Sequence, residues 1–111
     1  MKTVKVVDEF YHRLANRDSH QGDGKFTAVE FRNKFLSSID NINSWDNTDV
    51  AVELDFSGVK KIGPSFANEA FAYFTKFAKP EVVLMKIKIS NASTVQRAII
   101  DLELETGYKS R

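Results

Sequence analysis

A chain of 111 residues suits one domain built around a single two-layer core. Sixteen basic and fifteen acidic side chains leave a net charge of +1, with 42% apolar and 28% charged residues. That balance gives no electrostatic footprint for nucleic acid or an anionic membrane. There is no cysteine, which excludes disulfides, thiol catalysis and cysteine-ligated zinc.

The apolar run in "MKTVKVVDEF" is too short for a signal-peptide core. No stretch reaches the ~20 apolar residues of a spanning helix. A soluble cytoplasmic protein is expected. Residues 3–7, "TVKVV", read as a strand because β-branched residues dominate. Residues 8–26 are polar and glycine-bearing and read as a loop or hairpin, with Asp23-Gly24 as a turn.

Thr27 and Glu30 stand at capping-box spacing and predict a helix start. Phe31, Phe35, Leu36, Ile39 and Ile42 follow as its apolar stripe. "VAVELDF", residues 50–56, alternates as a strand with Val50, Val52, Leu54 and Phe56 on the core face. A second helix is expected from Ser65 to Lys79, ended by Pro80. "VVLMKIKI", residues 82–89, alternates as the next strand.

A third helix begins near Asn91, with Val95, Ala98, Ile99 and Leu102 as its core face and Gly107 as its stop. Strands separated by helices imply parallel crossovers. Glu53, Lys86 and Lys88 suggest a sheet face open to water. The expected fold is a small two-layer α/β domain, mostly parallel, with helices mainly on one face.

The chemistry-bearing stretch is "DFSGVKKIGPSFANEAF", residues 55–71. Functional groups gather beyond the carboxyl ends of parallel strands. Asp55, Ser57, Gly58, Lys60, Lys61, Gly63, Pro64, Ser65, Phe66 and Glu69 fall there. Pro64 stiffens the approach to the helix, and Ser65 is positioned as an N-cap. A phosphate on Ser65 would suit a helix start and change the charge of a partner-binding surface.

Other chemistries fit poorly. "GPSFA" supplies only half of a nucleophile elbow, and both histidines, His12 and His20, precede the serine. Asp18, His20 and Asp23 match no strong ligand spacing, so no metal and no cofactor is expected. Lys60, Lys61, Lys86 and Lys88 lack interleaved exposed aromatics, which makes a poor nucleic-acid surface.

"VELDFSGVKKIGPSFANEAFAYF" resembles the signature of the STAS-like family of unknown function, related to the sulphate transporter and anti-sigma factor antagonist domains. "DGKFTAVEFRNKFL" and "KIKISNAS" extend the likeness over most of residues 22–100. The resemblance implies a bacterial, non-enzymatic regulatory module. It would bind a histidine-kinase-like ATPase that acts as a serine kinase, with Ser65 as candidate phosphoacceptor. Gly63 replaces the acidic residue of the related motif, and Phe66 replaces its glycine. A phosphate- or nucleotide-binding module and a structural or oligomerising domain are the alternatives. The residues fix no oligomeric state.

Overall fold

Three short strands pair side by side. β1 (Lys2–Lys5), β3 (Val52–Asp55) and β5 (Ile87–Ser90) form a parallel sheet in the order β1-β3-β5. The computed structural model describes residues 2–15, 26–39, 45 and 49–110. In register, Val4 faces Leu54 and Leu54 faces Ile89, while Val52 faces Ile87. All five side chains are buried. The alternate residues Lys5, Asp55 and Ser90 share the next cross-strand row and point to the other face. Thr3, Glu53 and Lys88 make the row before it.

One sheet face therefore packs and the other is polar. Parallel sheets are rarely left open on a face. Here lysines mark both outer strands, Lys2 and Lys5 on one and Lys88 on the other, and charged edge residues discourage further strand pairing.

A second parallel pair joins β2 (Arg13–Leu14) to β4 (Lys61–Ile62). The region expected as a loop or hairpin thus contributes β2. α1 (Val6–Glu9) straddles the boundary between the expected strand and that region, and it cuts the first strand at Lys5. Val6 is buried, so helical backbone carries it into the core where a longer strand was expected. Asp23-Gly24 and Ile42 lie outside the described residues.

α2 (Ala28–Phe31) opens as predicted at Thr27, whose Oγ1 accepts the Glu30 N–H at 3.2 Å. A π-helical turn over Arg32–Leu36 and a 3-10 turn over Ser37–Ile39 continue it. Phe31, Phe35, Leu36 and Ile39 all stay buried. Phe31 meets Phe35, Phe66 and Phe71 edge-on at 5.1, 5.4 and 6.1 Å, a favoured aromatic geometry.

α3 (Pro64–Ala70) is shorter than the expected helix, and a 3-10 turn (Ala72–Lys76) comes after it. Phe74 and Phe77 N–H groups bond the carbonyls of Phe71 and Phe74, each at 3.0 Å. The Thr75 hydroxyl donates back to Ala72 O at 2.6 Å, which competes with regular helix.

Residues expected to start a strand at 82 instead form α4 (Pro80–Lys86). The helical backbone before it ends at Lys76, so Pro80 does not stop the preceding helix; it begins this one at its first position, where proline is favoured. Val83 and Ile87 are buried and fit helical spacing as well as alternation, an ambiguity inherent in short apolar runs. Met85, expected on a strand, is 44% exposed.

α5 (Thr94–Lys109) is capped by Ser93, two residues beyond Asn91. The Ser93 N–H donates to Gln96 Oε1 at 2.9 Å, and the Gln96 N–H donates to Ser93 Oγ at 3.1 Å, a reciprocal capping box. Its buried face is Gln96, Ile100, Leu104 and Gly107. Most of the predicted face is turned outward: Val95 is 69% and Leu102 63% exposed, while Ile99 is partly buried against the core. Gly107 is not a stop but a packing position inside the helix. A Cβ there would lie 2.8 Å from Ala72 Cβ. Among the described residues, no helix is long and apolar enough to cross a membrane.

Candidate functional site

The carboxyl ends of the three sheet strands bring Lys5, Asp55 and Ser90 into one row. Asp55 organises the loops beyond them. Its Oδ1 accepts the Ser57 N–H at 2.9 Å and the Asn91 side-chain amide at 3.0 Å. The first bond closes the turn after β3. The second ties that turn to the segment leaving β5. Asn91 sits at φ 59°, a left-handed conformation that asparagine tolerates better than most residues.

These bonds set the state of the carboxyl. The Asn91 amide, followed by the donors of Ser57, holds the Asp55 carboxyl below its ordinary value, at about 2. Asp55 is therefore a constant anion at neutral pH. It serves as a hydrogen-bond acceptor and is far from the range of a general acid or base.

The loop from Phe56 to Ile62 is fastened along its length. Phe56 N–H donates to Ser90 O at 2.8 Å, and Val59 N–H donates to Phe56 O at 2.9 Å. Gly58 takes φ +83° beside Val7, a conformation open to glycine at little cost. The buried Gln96 reaches across from α5, its Nε2 donating to Val59 O at 2.9 Å. Lys60 N–H donates to His12 O at 2.8 Å, and β4 then pairs with β2. The loop hangs on backbone of a region the sequence offers only as polar and glycine-bearing.

The helix start differs from the expectation. Gly63, not Ser65, is the N-cap of α3, with Pro64 at the first helical position, and no side chain caps the helix. Gly63 N–H is already committed to Leu14 O at 2.8 Å, and Pro64 has no N–H to offer. The start of this short helix thus has fewer free donors for an anion than usual. Ser65, one residue further in, is half-buried.

The other candidates divide by burial. Gly58, Lys60, Lys61 and Pro64 are exposed, and Ser57 is half-buried. Phe66 is fully buried and leaves the surface set, because its ring packs on Phe31. Gly63 is buried too. Glu69 is engaged by Arg32. Its Oε2 accepts Arg32 Nη1 at 2.5 Å, and the same nitrogen donates to Glu69 O at 2.6 Å. Arg32 also stacks over the Tyr73 ring at 3.9 Å. Glu69 braces α2 to α3.

Sequence reasoning passes over Gln96 and reads Asn91 only as marking a helix start. The signal for Asn91 is its place just after a strand, where a left-handed turn residue is common. The Ser93-x-x-Gln96 spacing is a readable capping box. Asp18, His20 and Asp23 lie outside the described residues. Among the described residues, no group of three histidine, aspartate or glutamate side chains is placed to hold a metal.

A family model described as a STAS-like domain of unknown function (DUF4325) matches residues 27–97, and the chain belongs to that family. The match takes in β3, β4, α3, α4 and β5. It includes Asp55, Ser65, Asn91 and Gln96, and leaves out β1, β2 and most of α5. Neither a curated protein nor a solved structure matches the chain.

Proposed function

We propose that this chain is a non-enzymatic regulatory module of the bacterial cytoplasm, docking a protein partner at the edge that runs from Asp55 to Ser65. The observation that carries this reading is how the edge uses its polar groups. Asp55, Asn91 and Gln96 spend their hydrogen bonds on holding the loop in place. The groups left facing outward are Gly58, Lys60, Lys61 and Pro64, beside a half-buried serine. Rigid presentation lowers the ordering cost of association.

The favoured partner is a histidine-kinase-like ATPase acting as a serine kinase, by likeness to the anti-sigma factor antagonists. Ser65 is the phosphoacceptor in this reading. A phosphoserine there would add close to two negative charges to the segment that carries the exposed Lys60 and Lys61 and alter the docking surface without disturbing the core. Phosphate binding at the unmodified helix start is the weaker reading, since Gly63 N–H is taken by Leu14 O and Pro64 offers none.

The test is binding and phosphate mapping with such an ATPase. Ser65→Ala should bind the ATPase and resist modification, while Ser65→Asp should lose binding. Equal binding by both variants, with no phosphate on Ser65 in the parent chain, would remove the switch.

A further inference from the structure

α5 carries apolar residues on two faces. Ile100 and Leu104 turn inward with Gln96 and Gly107. Val95, Ala98 and Leu102 stand exposed on the other side, at spacings of three, four and seven that align them on a helix. Next around the helix, Asp101 and Glu105 border a groove against α4. Pro80, Leu84 and Leu104 provide its apolar surface, and Glu81 stands on the α4 side. The groove holds about 190 Å³. Its described lining carries three carboxylates and no cation. Glu105 meets Lys109 at 3.8 Å, but both side chains are more than half exposed, so that pair neutralises little.

An apolar floor with a carboxylate rim suits a lysine or arginine side chain laid along it. The aliphatic stem covers Leu84 and Leu104 while the cation reaches the rim. A helix bringing such a residue would set its apolar anchors on the Val95–Leu102 stripe, the usual way an amphipathic helix enters a groove. We propose that the α4–α5 groove and its adjoining stripe dock a basic amphipathic helix of a partner protein. A second copy of this chain would bring the same acidic rim, and like charges opposed across an interface are costly. An anionic membrane is repelled for the same reason. No residue from Asp55 to Ser65 lines the groove, so this surface is tested apart from the phosphoserine reading.

The experiment titrates the ¹⁵N-labelled full chain with a model peptide of about five helical turns, with leucine at i, i+3, i+4 and i+7 and lysine at the flanks. The same peptide with glutamate for each lysine is the comparison. Resonance shifts are expected within residues 80–86 and 95–109, with the acidic peptide binding at least about tenfold more weakly. Leu102→Ser and the pair Asp101→Asn with Glu105→Gln replace exposed side chains, so the fold is retained, and each should weaken the basic peptide. Glu53→Gln, on the open sheet face, should not. Equal binding of both peptides, shifts confined elsewhere, or no binding would overturn the proposal. So would a dimer in light scattering that Leu102→Ser dissolves, which would assign the face to a second copy.

Discussion

The Asn91 side-chain amide donates to Asp55 Oδ1 at 3.0 Å, joining the turns at the ends of two neighbouring parallel strands. One carboxylate thereby fixes the start of the loop leading to Ser65 and the start of the segment leading to α5. Its low pKa comes from that geometry, because each donor favours the charged form.

Asn91→Gly keeps the left-handed backbone and removes the amide. It should raise the Asp55 midpoint from about 2 back toward 3.8, as read by carboxyl-detected NMR titration. The folded pKa lies below the unfolded one. Stability from this carboxylate is therefore fully present above the ordinary value and is lost as pH falls through it toward the folded pKa. The variant should lose less stability over that acid window than the parent chain.

Gln96 does two jobs, accepting the Ser93 N–H and donating to Val59 O. Gln96→Glu keeps the acceptor and loses the donor. Amide exchange of Val59 and Lys60 should quicken in Gln96→Glu while the first turn of α5 stays protected. Gln96→Ala removes both and should cost about 1–3 kcal/mol in chemical denaturation.

Gly107→Ala tests the close contact of α5 with the 3-10 turn. Alanine improves helix propensity by about 1 kcal/mol, but its Cβ would meet Ala72 Cβ at 2.8 Å. Overpacking costs about 1–3 kcal/mol, so the thermal midpoint should fall. Adding Ala72→Gly should restore part of the loss; a single variant more stable than the parent would contradict the packing role.

Glu69→Ala leaves Arg32 without its carboxylate partner while the guanidinium stays mostly buried, its side chain 13% exposed. Losing a partner of a buried charged group should cost about 1–3 kcal/mol. A double-mutant cycle with Arg32→Met separates the pair from the packing of Arg32 on Tyr73. Partner binding should survive in the folded Glu69 variant, since Glu69 braces α2 to α3.

Much of the fold is legible in the residues. Alternation over Val52–Asp55 places β3, and Thr27 places α2, because each signal is local. The rotation of α5 escapes the apolar pattern for a physical reason. The face that docks contains a glutamine and a glycine, buried because one bonds a loop carbonyl and the other allows close approach. An apolar pattern selects Val95 and Leu102 instead. Residues 82–86 read wrongly as strand because Val83 and Ile87 satisfy both periods and Pro80 opens a helix as readily as it closes one. β2 is two residues long and exists through its pairing with β4, so no local signal announces it. Local pattern places Ser65 at the start of the helix after β3 but assigns it the cap that Gly63 takes.

The most direct measurement of the central claim is phosphate mapping by mass spectrometry after incubating the full chain with ATP and the histidine-kinase-like ATPase of its own cell, alongside a binding assay before and after. The expected result is a complex with the unmodified chain, phosphate on Ser65, and loss of the complex once it is added. No complex with the unmodified chain, or a complex that persists with Ser65 unmodified, would contradict it.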